Sequence, residues 1–318
     1  MLTYLIRRIL ISIPILLGIT IIVFFFASQM PGDAVQAMIS QETPMAEDLI
    51  KLRRGQLGLD QPLPVQYMRW LGNLAQGNLG YSFQTGEPVA KMIGDRIPAT
   101  LRLMGTALVI AIILGVILGV ISALRQYSFL DYSLTLLGFS GISIPDFFLG
   151  MVLVYIFALQ LGWLPTGGIN TRGETPTLTD SLRHLLLPAF ALAIVRTATF
   201  MRYTRSSVLE VKNNDYVRTA QAKGVRDWVV TLRHILRNAL IPIITVIGIS
   251  LPLLFGGAVI IETIFQWPGI GLMFMNAITG RDSPVIMGYV LCSAIFVLAS
   301  NLLTDVVYSW ADPRIRYD

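Results

Sequence analysis

Long apolar runs alternate along this chain with shorter, charge-bearing connections, and that rhythm sets its plan. Six runs stand out: from the N-terminal residues to about Ala27, then about 100–124, 131–161, 185–208, 239–262 and 285–310. Each is near or above the roughly 20 residues that an α-helix needs to cross a bilayer. An all-α integral membrane protein with six transmembrane helices is predicted. The third and fourth runs are long or interrupted, so their ends are the least defined. The first begins MLTYLIRRIL, which also has the outline of a signal peptide. However, FFFASQMPGD offers no small-x-small cleavage site, so a retained helix over 1–28 is expected.

An even number of spans places both termini on one side. Arg7, Arg8, Arg125, the segment from Arg202 to Arg237, Arg314 and Arg316 then share that side, whereas 263–283 carries only Arg281, beside Asp282. Basic residues favour the cytoplasmic face, which predicts cytoplasmic termini. Residues 29–98 become an extracytoplasmic segment, too long for a bare connection. Thr43-Pro44 looks like a helix start. Tyr67, Trp70, Leu71 and Leu74 follow an i, i+3, i+4, i+7 rhythm, one face of a helix. The core transmembrane domain is expected over 99–318. Thr166 to Pro176 reads as an outer loop.

Composition agrees: 54% of residues are hydrophobic, only 14% are charged, and the mean hydropathy is +0.66. Soluble domains carry nearer a quarter charged residues. The net charge of +5 sits in the connections and calls for no nucleic acid. A single cysteine, Cys292, allows no intrachain disulfide.

One connection is larger and more basic than joining two spans requires: NNDYVRTAQAKGVRDWVVTLRHILRNALIPIIT, from Asn213 to Thr245. Asp215 is placed to cap a helix starting at Tyr216, and Gly224 to end it in the left-handed conformation. Asp227 is placed to cap a second helix to about Arg237, before Pro242. Ala220, Ala222 and Gly224 are small enough for another surface to approach the backbone. Tyr216 and Val217 offer apolar anchors, with Arg218, Lys223 and Arg226 around them and Thr219 between. A basic amphipathic helix lying on anionic lipid fits the same pattern. The residues alone leave both open.

Within the apolar runs, Asp146 follows Pro145, Arg196 lies in the fourth and Glu262 ends the fifth. Ionised groups at membrane depth usually mark a polar cavity or pathway. Ser143, Pro145, Asp146 and Glu262 are therefore pathway candidates, although helix packing for Asp146 and a solvated end for Glu262 compete. Arg196 can snorkel to headgroups. Pro145 and Pro252 predict kinks.

Other classes fare worse. Gly138-Phe139-Ser140-Gly141 has the outline of an intramembrane serine protease, but the only histidines, His184 and His234, lie too far from mid-membrane to activate Ser140. Two distant histidines and one cysteine make no metal cluster. A free-standing channel or secondary transporter leaves the basic segment unexplained.

Several motifs occur together: Met30-Pro31-Gly32-Asp33, LGLDQPLPVQY (57–67), GNLGYS (77–82), GISIPDFF (141–148), LGWLPTGG (161–168) and YTRSSVLEV (203–211). YVRTAQAKG, RHILRNALIP, ETIFQWPGIG and DPRIRY follow. In this order they resemble the permease subunits of ABC importers, in the dipeptide and oligopeptide family, nearly end to end. The basic segment, about 209–240, is similar to their EAA loop. Arg218 stands at the position of the general motif's glutamate, as is usual in this subfamily. Gln221, Asn78 and Ala34 replace a common arginine, aspartate and proline.

The resemblance implies a type I importer fold in a prokaryotic inner membrane. It implies a heterodimer with a homologous permease, two ATPase subunits and an extracytoplasmic binding protein. The coupling helix, comprising Tyr216, Val217, Arg218, Thr219, Ala220, Ala222, Lys223 and Gly224, would sit in a cleft on an ATPase. No G-x-x-x-x-G-K-[ST] run is present, so ATP and Mg would be held by those partners. Peptides are the implied cargo. Nickel, glutathione and oligosaccharides occur in related transporters.

Overall fold

A computed structural model describes residues 2–30, 60–173 and 175–311. Among these, five helices are long and apolar enough to cross a membrane, or six if one bent pair counts as a single span. The expected helix start at Thr43-Pro44 lies outside the described residues. Contacts divide the chain into two units, one of residues 1–99 and 268–298, the other of 100–267 and 299–318.

The first unit contains α1 (Leu2–Gln29) and α2 (Leu63–Ala75). Tyr67, Trp70, Leu71 and Leu74 form the half-buried face of α2, as their spacing predicts. Tyr67 and Trp70 pack on Phe24 of α1, with ring centroids 5.5 and 5.7 Å away. The Tyr67 hydroxyl lies 2.9 Å from Thr20 Oγ1. A loop follows, in which Gly80 takes a φ of +85°, open chiefly to glycine, and donates its N–H to Asn78 Oδ1 at 2.9 Å. The Asn78 amide oxygen thus meets the need of that turn. Helix α3 (Val89–Leu124) begins in this unit. Also here are α9 (Ile270–Thr279) and the start of α10 (Ser283–Ala311). Between them the buried carboxylate of Asp282 accepts from Ser82 Oγ and from the N–H groups of Phe83 and Gln84, which clamps the 82–84 loop.

The second unit is organised around α6 (Leu178–Lys212), which begins at the N-cap Thr177, whose Oγ1 accepts from the Asp180 N–H at 3.2 Å. Helix α6 contacts α4 (Phe129–Ser143), α5 (Asp146–Leu153) and α8 (Ile241–Ile264). Gly115 and Gly119 of α3 let it approach α6 closely. A Cβ at Gly115 would collide with Phe200, and one at Gly119 would lie 2.7 Å from Met201 O and Thr204 Cβ. Small residues four apart are a recurrent device for close helix contact in lipid.

The third apolar run is not one straight span. Helices α4 and α5 meet at 106°, because Pro145 lacks an N–H and drives Ile144 into extended backbone (φ −86°, ψ 125°). Helix α5 continues in wider π-type turns over Val154–Gln160. Pro252 lies within the continuous α8.

Candidate functional site

Between α6 and α8 lies the basic segment. Its first helix is α7 (Asp215–Ala222), with Asn214 at the N-cap, so Asp215 is the first helical residue and not the cap. The second helical stretch likewise starts at Asp227, with Arg226 before it. It runs through π-type turns at Val230–Leu236 to Arg237–Ala239. Gly224 has a φ of +75° and donates its N–H to Gln221 O at 2.9 Å, closing α7 in the expected left-handed geometry.

The burial of α7 sorts the expected contact residues into two groups. Val217 is fully buried and Ala220 nearly so, packed with Ala123, Val208, Val230, Ile235 and Ala239 of the same chain. Their small or apolar side chains serve this internal core, which differs from the outward role expected for them. Tyr216, Arg218, Thr219, Ala222, Lys223 and Gly224 are exposed on the other face. Asn238 Nδ2 donates to the Tyr216 hydroxyl at 3.1 Å and to His234 O at 2.9 Å, bracing the two helical stretches against each other. Trp228 and Leu232 are also exposed, one turn apart, and sequence reasoning passed over them. Their i, i+4 spacing beside basic residues was the available signal.

The segment hangs from a rigid joint. Asp131, 2% exposed, accepts two hydrogen bonds from Arg205 of α6, from Nε and Nη2, each 2.9 Å. It also accepts from Ser122 Oγ and, at 3.0 Å, from the Tyr127 N–H. One carboxylate thus ties the end of α3 and the start of α4 to α6 by a bidentate, charge-assisted pair. Ser128 caps α4 by accepting the Asp131 N–H, an S-x-x-D signature visible in the sequence but not used. Beside the joint, Thr135, Phe139, Met201, Arg202, Ser206 and neighbours line a cavity of about 330 Å³.

The intramembrane candidates separate sharply. Glu262 is fully buried and accepts from Thr100 Oγ1 at 2.6 Å, so a solvated helix end is excluded. Ser143 and Pro145 are exposed at the break, with Ser143 Oγ donating to Phe139 O at 2.9 Å. Asp146 is half-buried beside Gly257 of α8, where a Cβ would lie 3.3 Å from its Oδ2. Arg196 attracts Asp146, and its Nη2 donates to Leu253 O at 3.3 Å. The Arg196 guanidinium thus reaches a main-chain carbonyl of α8.

His184 is buried. Its Nδ1 lies 3.0 Å from Gly167 O and its Nε2 lies 3.5 Å from Asp180 Oδ1, so it braces a loop. Among the described residues the Ser140 side chain contacts neither histidine. Among them, too, no cluster of metal-ligating side chains occurs.

The chain is similar to known proteins over nearly its whole length. A Brucella suis (biovar 1, strain 1330) protein with a peptide-permease name is 48% identical over 317 residues, 99% of each chain. The oligopeptide transport system permease protein AppB of Bacillus subtilis (strain 168) is 44% identical over 318 residues, 100% of both. The glutathione transport system permease protein GsiC of Escherichia coli (strain K12) is 39% identical over 317 residues, again 100% of both. A solved chain of the MetNI methionine ABC transporter, in an inward-facing conformation, shares the fold with a TM-score of 0.58 at 14% identity. The match covers 70% of this chain and 96% of that one. The N-terminal model of binding-protein-dependent transport membrane components matches residues 1–104. The main model, described as the binding-protein-dependent transport system inner membrane component, matches 115–317, and it is to this family that the chain belongs.

Proposed function

We propose that the chain is the permease subunit of an ATP-driven importer, forming half of a peptide pathway with a homologous second permease. An extracytoplasmic binding protein delivers the cargo, and two separate ATPase subunits, which bind ATP and Mg, drive it. Both termini and the α7 segment face the cytoplasm, in keeping with the basic residues on that side. The observation that carries this reading is the two-faced build of α7. Its inner face, Val217 and Ala220, is locked into the chain's own core, while Tyr216, Arg218, Thr219, Ala222, Lys223 and Gly224 stand outward. A helix fixed on one side and free on the other passes a partner's movement to α6 and α8 as a lever. Ser143, Pro145 and Asp146, at the break between α4 and α5, line the path.

A matched pair of substitutions tests the lever. Ala222→Glu changes only the outward face, so the chain should insert and fold while import falls at least about tenfold or ATPase copurification is lost. Ala220→Glu drives a carboxylate into the Val217 core and should lower the yield of folded chain. Full ATPase yield and normal import with Ala222→Glu would refute the coupling role.

Peptide cargo is favoured by the names of the two most similar relatives cited. The glutathione permease relative favours glutathione, itself a small peptide, as a second reading. ATPase stimulation by the cognate binding protein loaded with peptide, against the same protein loaded with glutathione, decides between them.

A further inference from the structure

One carboxylate on the proposed path lacks a partner of its own. Among the described residues, the Asp146 side chain accepts no hydrogen bond. Arg196 attracts it, yet the Arg196 hydrogen bond goes to Leu253 O. Gly257 lets Oδ2 come close to α8, where a Cβ would lie 3.3 Å from it and 3.0 Å from Leu192 Cδ1. The neighbouring Pro145, Phe147 and Phe148 are exposed, so the carboxylate stands at an accessible rim.

An ionised group at this depth is retained where it meets a counter-charge or a wet cavity. A half-buried carboxylate that accepts no hydrogen bond, beside exposed neighbours, has the capacity to take a cation from the accessible side. Resting on the peptide-permease reading, we propose that Asp146 receives the α-ammonium group of a passing peptide. Arg196 is its positioning residue: the guanidinium draws the carboxylate toward α6, while the tether at Leu253 keeps the two from closing into a pair. The competing positive charge also keeps the contact weak enough to release cargo, as conduction through a path requires.

The test uses the full transporter in proteoliposomes with its binding protein and ATPase subunits. It measures import of a labelled tripeptide at saturating loaded binding protein, per assembled complex. Loss of one charge-assisted hydrogen bond corresponds to about a tenfold change. Asp146→Asn should therefore lower maximal import about tenfold, and Asp146→Glu should restore most of it. The double variant Asp146→Asn with Arg196→Gln should stay as low as Asp146→Asn alone. Wild-type import by Asp146→Asn, or no restoration by Asp146→Glu, overturns the proposal. Recovery in the double variant also overturns it, because Asp146 would then serve only to neutralise Arg196. A wild-type complex that imports no peptide refutes the cargo reading and this inference together. A working wild type without the variant contrast refutes the inference alone.

Discussion

Helices α1 and α6 both satisfy the length and apolarity of a span, and they use those properties in opposite ways. In its most apolar stretch α1 is only 11% buried, whereas the less apolar α6 is 61% buried. Helix α1 meets α2 through Thr20 and Phe24 and leaves Ile9, Ile13, Ile21 and Phe26 exposed. Helix α6 carries His184, Arg196 and Arg205, and accepts the glycine face of α3. Lipid is as apolar as leucine, so greasiness alone draws no helix toward another; close approach and polar contacts do. The more hydrophobic of these two spans is accordingly the one left for lipid or a partner, and the more polar one is the hub.

The largest effect should come from the hub's charge joint. Arg205→Ala leaves Asp131 buried without its counter-charge, which costs about 3–5 kcal/mol. Thermal unfolding of the purified chain should show a marked fall in midpoint, and Arg205→Lys should recover only part, because lysine cannot make the two parallel bonds. An unchanged midpoint would mean that the joint is ornamental and α6 is held by packing alone.

A matched glycine pair sharpens the contrast. Valine at Gly119 must displace Met201 and Thr204 of α6, whereas nothing lies within 4 Å of a Cβ at Gly18 of α1. Gly119→Val should cost about 3 kcal/mol, and Gly18→Val less than about 0.5 kcal/mol, both read from unfolding midpoints. Equal losses at the two sites would erase the distinction between hub and lipid-facing helix.

This contrast explains what could be read from the chain beforehand. The existence of the spans was legible because hydropathy reports a property of each segment by itself. So were the α2 face at Tyr67 and Trp70 and the left-handed end at Gly224, both set by neighbours in sequence. The 106° bend was only half legible: Pro145 announced a break, but the angle depends on what α5 packs against. The inward turn of Val217 and Ala220 was hidden, because an amphipathic helix shows two faces without saying which one its own chain covers. Burial of Glu262 was equally hidden, since its partner Thr100 lies 162 residues away. The glycine seam at 115–119 and the Asp131–Arg205 joint follow known spacings and types, and were missed because neither is apolar.

The most local effect belongs to the end of α7, where the chain turns into the second helical stretch. A Cβ at Gly224 would meet nothing within 4 Å, so any penalty there arises from backbone conformation and not from crowding. At a φ of +75° a β-branched residue is strained, and Gly224→Val should cost about 1–2 kcal/mol of local stability. Asparagine visits this region more readily, so Gly224→Asn should cost less than half as much. Because the strain is confined to the cap, amide hydrogen exchange over 215–225 should quicken about tenfold in the valine variant. Exchange within the buried middle of α6 should stay at the wild-type rate. Acceleration in α6 as well would show that lever and hub open as one unit. Equal behaviour of valine and asparagine would show that the left-handed cap does not set the stability of α7, whose hold would then lie in the Val217 core alone.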